Sequence, residues 1–157
     1  MLKELMKARI EAFADNAIKQ IQENIRSKGQ TASGKTAASL QREWQGDTLV
    51  ISGAGHVFAL EFGRGPSGSG SASTPTLRER IRVWIDDKGI NPTDISKDSL
   101  AFLIARSIHR KGTLLYQSRQ QSGTLSEAIN EQRMTELSKS LLAEFASVAT
   151  STLLAVK

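Results

Sequence analysis

Leu40-Gln41-Arg42-Glu43-Trp44-Gln45-Gly46-Asp47-Thr48-Leu49-Val50-Ile51-Ser52 is the stretch that decides the fold class. Two short runs flank a turn signal. If Gly46-Asp47 is a two-residue turn, Trp44 faces Leu49 and Arg42 faces Ile51. That register puts Leu40, Trp44, Leu49 and Ile51 on one face, with Ser39, Gln41, Glu43, Thr48 and Ser52 opposite. Side chains alternate along a strand, so one choice of turn sorts both strands at once. Arg42 is the misfit on the apolar face, and its guanidinium is expected to reach the sheet edge.

Upstream, residues 2–27 pattern as one amphipathic helix. Leu2, Met6, Ile10, Phe13, Ala17, Ile21 and Ile25 recur every three or four positions, the spacing of one helical face. Gly29 is placed to stop it as a C′ residue, with Lys28 near the negative end of the dipole. Residues 30–37 are small and polar. Downstream, His56 to Phe62 is short and apolar, enough for a turn or two of helix. Residues 63–75, which include Arg64, Pro66, Ser69 and Pro75, read as a flexible Gly/Ser loop. Such a loop is long for a compact domain and is a candidate for function.

Thr76-Leu77-Arg78-Glu79 closes the loop as a capping box. The helix it opens turns Leu77, Ile81, Trp84 and Ile85 inward and ends at Gly89. After Asn91-Pro92-Thr93, Ser96 or a neighbour caps a second helix, with Leu100, Leu103, Ile104 and Ile108 inward and Gly112 at its end. Residues 113–123 are expected to be extended or irregular, anchored by Leu114, Leu115 and Tyr116. Thr124-Leu125-Ser126-Glu127 is a second capping-box pattern, which places the C-terminal helix at 124–156. That helix is longer than a small core needs, and part of it is expected to pack on another subunit.

The expected class is α+β in one domain spanning 1–157. It comprises a long N-terminal helix, a small antiparallel sheet built on a hairpin, a helix pair and a long C-terminal helix. Trp44, Leu49, Ile51, Phe58 and Phe62 are the expected core between hairpin and short helix. Trp84 and Leu103 are expected to join the helix pair to it.

Composition narrows the chemistry. The 157 residues carry 21 Lys+Arg against 16 Asp+Glu, two His and no Cys. Without Cys there is no disulfide, thiolate nucleophile or Cys-based metal site. His56 and His109 are far apart, so no metal or cofactor is expected. No stretch approaches the ~18 apolar residues of a membrane span, and Met1-Leu2-Lys3-Glu4 is charged where a signal peptide needs an apolar run. The charge is uneven: residues 1–62 hold eight basic and seven acidic groups, 63–120 ten and five, and 121–157 three and four. The excess of five therefore sits in 63–120, in which Arg78, Arg82, Arg106, Arg110 and Lys111 are candidates to face DNA.

Three motifs compete for a function. Gly29-Gln30-Thr31-Ala32-Ser33-Gly34-Lys35-Thr36 matches a P-loop letter for letter, but a P-loop needs a buried strand before it and a helix after it. Here an amphipathic helix precedes and a hairpin follows, so a glycine-rich helix exit and a polar turn explain the residues. The helix pair has helix-turn-helix character, and a DNA-binding regulator is the alternative reading. A recognition helix reads bases from its N-terminal half, yet that half is Asp98-Ser99-Leu100-Ala101-Phe102, and basic groups in its last turn suit the helix dipole without DNA. No Ser/His/Asp arrangement or spaced carboxylate pair specifies hydrolysis, so no enzyme activity is expected.

The most distinctive piece is His56-Val57-Phe58-Ala59-Leu60-Glu61-Phe62-Gly63-Arg64-Gly65-Pro66. It resembles the signature of tail-completion and head–tail joining (neck) proteins of tailed phages. In these a hairpin leads into an apolar–apolar–Glu–aromatic–Gly segment and then a long variable loop. Ser99 to Arg106 and Arg110-Lys111-Gly112-Thr113 are similar to segments of minor tail components, and the likeness covers about residues 25–120. The resemblance implies a non-enzymatic structural virion protein, a homo-oligomeric ring of six or twelve subunits between portal vertex and tail. Its partners would be itself, the portal or adaptor ring and tail proteins, with no membrane. It would be assembled in the bacterial host cytoplasm and reside in the neck of the virion. Residues 63–75 would be an inter-ring or lumen loop, and the basic segment would touch passing DNA without sequence choice, since phosphate contacts carry no sequence information. Many members of the family close with further strands, where this chain closes with a helix.

Overall fold

The computed structural model describes residues 2–67 and 74–155. Its class is α+β: helix α1 (Leu2–Ser27), a single turn α2 (Lys35–Ala38), strands β1 (Gln41–Gln45) and β2 (Thr48–Ser52), then α3 (Val57–Phe62), α4 (Leu77–Asp87), α5 (Lys97–Lys111), α6 (Leu114–Ser118) and α7 (Glu131–Ala155).

Helix α1 stops where its glycine requires. Gly29 takes φ 66, its N–H donates to Arg26 O at 3.0 Å and the Gln30 N–H reaches Ile25 O at 2.9 Å. These are the two bonds of a Schellman C-cap. The letter-perfect P-loop match is thus a helix exit followed by one helical turn, with no strand in front of it.

The hairpin has the register its turn dictates. Arg42 pairs with Ile51, Trp44 with Leu49 and Gln45 with Thr48, around Gly46 at φ 64. A two-stranded ribbon is marginal in water by itself, and α1 holds this one. The hold is largely ionic. Arg42 donates to Asp15 through Nε at 2.6 Å and Nη2 at 3.0 Å, and Trp44 Nε1 donates to Glu11 at 2.6 Å. Lys7 lies 4.9 Å from the Trp44 ring centroid. Arg42 therefore does not run to the sheet edge. It faces α1, because Asp15 and Glu11 are there to neutralise it.

The buried apolar side chains form two clusters. One joins Ile21 and Ile25 of α1 to Ala128, with Leu40, Leu60 and Leu125 packed around them. The other lies wholly between α4 and α5: Ile81, Ile85, Ala101 and Ala105, flanked by Leu77, Ile90, Leu100, Ile104 and Ile108. Trp44, Leu49 and Ile51 are half-buried and belong to neither cluster.

The other four expected core residues also lie outside both clusters and are exposed. Phe58 is 66% exposed and Phe62 48%, because α3 turns Val57 and Glu61 inward instead. Trp84 is 40% exposed and Leu103 51%, because α5 presents the small side chains Ala101 and Ala105 to α4. Small residues four apart let two helix backbones approach closely, and the bulky neighbours are then rotated outward.

Two boundaries also differ from expectation. Residues 114–118 are helical, opened by Thr113, whose hydroxyl accepts from the Tyr116 N–H. The last helix starts at 131 rather than 124. Asn130 caps it, its side chain accepting from Arg133 N at 3.0 Å, while Thr124 is buried and donates to Gln30 Oε1 at 2.7 Å. Glu127, the presumed box partner, pairs instead with Lys28 at 2.8 Å. The polar trio Glu131-Gln132-Arg133, which interrupts the apolar stripe, marks the true start.

Candidate functional site

The segment that carries the phage-like motif is a knot built on one buried carboxylate. Glu61 is 1% exposed. It accepts hydrogen bonds from the Leu125 N–H at 2.7 Å, the Ser126 hydroxyl at 2.7 Å and the Ser122 hydroxyl at 3.4 Å. Its oxygens thus cap the turn at 124–128 from another part of the chain. Burial pushes the Glu61 carboxyl upward, but the hydrogen bonds from Leu125, Ser126 and Ser122 outweigh it and hold the group below the ordinary glutamate value. Asn24 closes the knot from α1, donating to Thr124 O at 3.0 Å. Gln30 closes it from the loop, donating to Leu60 O at 2.9 Å. A Glu inside an otherwise apolar short helix was the sequence signal for this role.

From the knot, residues 63–67 run as a strap along the end of α5. The Thr113 N–H donates to Arg64 O at 2.8 Å, the Arg64 N–H to the Thr113 hydroxyl at 2.9 Å, and the Ser67 N–H to His109 O at 3.2 Å. Gly63 sits at φ 75, ψ 177, a region essentially restricted to glycine. A Cβ there would also fall onto the Tyr116 amide nitrogen and the Thr113 hydroxyl. The first third of the expected flexible loop is therefore fixed. Arg64 is half-buried and its guanidinium donates to Ser67 Oγ at 3.0 Å. Pro66 and Pro75 are exposed, and the Pro75 carbonyl accepts from Arg80 at 3.1 Å. Ser69 lies outside the described residues.

The strap lies along the end of α5, and between α4 and α5 opens a groove of about 920 Å³. The Thr76 capping box starts α4 as expected, and Ser96 caps α5. With one face of each helix spent on the shared cluster, the outer face exposes Val83 at 59% and Phe102 at 47%. These two, with Leu77 and Ala105, give the groove an apolar wall. Arg78, Arg82, Arg106 and Arg110 line it. Four of the five candidate DNA-facing residues are thus gathered in one place, although they are spread over more than thirty positions of sequence. Lys111 is not among them. It lies with Leu103 and Ser107 in a shallower concavity on the outside of α5.

The cations are not equivalent. Arg82 is neutralised, paired with Asp86 and, at 3.3 Å, with Asp98. Asp86 also takes Lys97 at 2.8 Å, so the start of α5 is tied to the end of α4. Arg78 lies over the Phe102 ring, 5.9 Å from its centroid, within cation–π range. Among the described residues, Arg106 and Arg110 have no carboxylate partner. The groove is apolar along its wall and positive at its rim. Phe102 and Val83 supply the exposed part of its apolar wall.

Among the described residues no cluster of His, Asp or Glu could hold a metal ion, and no helix is long and apolar enough to cross a membrane. No family model matches the chain, and neither a curated protein nor a solved structure does.

Proposed function

We infer that the chain is a structural subunit that assembles head-to-tail into a ring, as a neck or tail-completion adaptor between portal vertex and tail of a tailed phage. The observation that carries this is the position of two unlike apolar surfaces. A head-to-tail contact needs two different patches on one subunit, and it closes into a ring when the rotation allows. One patch is the α4–α5 groove. The other is the face of α7 that carries Leu142, Phe145 and Leu153, exposed by 67, 51 and 75%. Exposed apolar surface of this extent marks interaction sites.

The two patches lie at opposite ends of the molecule. Lys88, at the end of α4, donates to Gly29 O at 2.6 Å, just past the C-terminus of α1. Glu144 of α7 pairs with Arg9 near the other end of α1 at 3.1 Å, while Ala128 packs on Ile21 and Ile25. Helix α7 therefore runs back along α1. The length of α1, 26 residues, separates the two ends by roughly 39 Å at 1.5 Å per residue.

The Glu61-Phe62-Gly63 resemblance adds to this reading, since those residues fix the strap that sets the groove. The unpaired Arg106 and Arg110 favour a surface that also meets phosphate without reading sequence. The helix-turn-helix alternative is less favoured, because Lys97 and Asp98 at the start of α5 are both paired with α4 and the rest of that half is small or apolar. Electron microscopy of the chain in its assembly is expected to show a closed ring of six or twelve subunits around DNA. A strong preference for one duplex sequence at physiological salt would overturn the reading.

A further inference from the structure

We propose that two copies of the chain pair along the outer edge of β2, antiparallel and about a two-fold axis at Val50. This goes beyond the ring reading and is separate from it, since it uses neither the α4–α5 groove nor α7. The hairpin's own ladder sets it up. The register closes with Gln45 opposite Thr48 across a two-residue turn, so that pair exchanges its hydrogen bonds. Hydrogen-bonded and non-hydrogen-bonded pairs alternate in an antiparallel ribbon. Glu43 with Val50 and Gln41 with Ser52 are therefore bonded, while the N–H and C=O groups of Arg42, Trp44, Leu49 and Ile51 point away from the neighbouring strand. The sheet has two strands, and among the described residues these outward groups take no hydrogen bond from another element.

The two edges differ in charge. If two β1 edges met with Arg42 and Trp44 bonded across the gap, Glu43 would face Glu43 of the second copy, and like charges directly opposite are destabilising. Strand β2 is Thr48-Leu49-Val50-Ile51-Ser52, with no charge, proline or bulge to guard its edge. The same register there lets Leu49 of each copy exchange both its bonds with Ile51 of the other. Val50 then faces Val50 at the axis and Thr48 faces Ser52, pairs of β-branched or small side chains. A β1 edge laid on β2 would instead hold Glu43 between two valines. The product is a sheet of four strands, whereas a two-stranded ribbon is marginal alone. Apolar surface continues from the strand: Ile51, Phe58 and Ile129 line a crevice of about 330 Å³, with Phe58 66% and Ile129 39% exposed.

The chain has no Cys, so an engineered thiol reports the contact. Val50→Cys at about 1 mM, a concentration that half-populates even a millimolar dimer, is expected to oxidise to a disulfide-linked dimer as its main product. Mixed with Glu43→Cys, it should still give mainly the Val50–Val50 link. Val50→Lys and Val50→Glu should each weaken the dimer at least tenfold in sedimentation. Their equimolar mixture should restore it, because opposite charges then face each other across the axis. Restoration on mixing also shows that each variant is folded. A wild-type chain that stays monomeric at this concentration overturns the proposal and leaves the edge to a strand of another protein. So does a mixed Glu43–Val50 disulfide as the main product, or a mixture no more associated than either charge variant alone. Rings seen by microscopy without the Val50 disulfide overturn this contact and leave the ring reading standing. A Val50-linked dimer that never forms rings supports the contact and counts against the ring.

Discussion

The two clusters of this chain are built from unlike materials. The first, at α1 and the 124–128 turn, is small in apolar volume and is completed by buried polar groups: Glu61, Asn24 and Thr124 are each under 5% exposed. The second, between α4 and α5, buries only aliphatic side chains and leaves its other face open. A buried carboxylate with several donors has one satisfactory geometry, whereas aliphatic packing tolerates small shifts. The first cluster thus fixes where the chain goes, and the second offers a surface.

The knot should be the harder of the two to alter. Gly63→Ala demands a glycine-only backbone conformation of an L-residue, costing about 1–3 kcal/mol. It also drives a methyl into Tyr116 and Thr113, an overpacking cost of about 1–3 kcal/mol more. A loss near 4 kcal/mol in denaturant unfolding is expected, or failure to fold. A loss below about 1 kcal/mol would mean that the strap moves freely, and the contrast between the regions would fall.

Glu61→Ala comes next. It leaves the Leu125 N–H and the Ser122 and Ser126 hydroxyls facing a void, and each buried donor without a partner costs about 1–3 kcal/mol. A loss of about 3 kcal/mol is expected. The pH dependence has a definite sign. The folded value lies below the ordinary 4.5, so the stabilisation is complete above the unfolded value and is lost as pH falls through the folded one. The wild-type chain should lose melting temperature steeply below about pH 4.5, and Glu61→Gln should flatten that decline.

Ile85→Ala probes the open cluster. The side chain is fully buried, and such truncations cost about 2–5 kcal/mol. Because α5 faces it with alanines that can settle inward, the expected loss is at the low end, about 2–3 kcal/mol. Hydrogen exchange should show the damage confined to α4 and α5. If the amides around Glu61 open equally, the two clusters are one cooperative unit and the comparison needs redrawing.

Much of this architecture was legible in sequence, and the illegible part has a common cause. The hairpin register, the Gly29 and Gly89 stops and the Thr76 capping box depend on residues close together in the chain, where turn and cap chemistry is local. The sequence also showed the charge excess in 63–120, yet not that four arginines of it converge on one groove, which depends on how α4 crosses α5. On α5 the expected inward residues Leu100, Ile104 and Ile108 do pack on the α4–α5 cluster and only Leu103 does not, while on α3 Phe58 and Phe62 are exposed. Hydrophobicity favours Phe58 and Leu103 over Glu61 and Ala101. Burial here follows partners instead. Glu61 goes in because Leu125 and Ser126 donate to it, and Ala101 because α4 comes close. The capping-box pattern at Thr124 failed likewise: its hydroxyl had a better acceptor in Gln30, nearly a hundred positions away.

Phe62→Ala gives the smallest expected effect and separates the two accounts of the motif most directly. A core phenylalanine would cost about 3–5 kcal/mol on truncation. In the structure its ring is half exposed, beside Tyr116, Gln117 and Arg119 in a shallow concavity, so the isolated chain should lose no more than about 1 kcal/mol. If the proposed ring buries Phe62 in a contact, the same variant should nevertheless weaken assembly. Thermal denaturation and ring formation then move independently: a large loss in the first would return Phe62 to the core, and no change in the second would leave its exposed face without a partner.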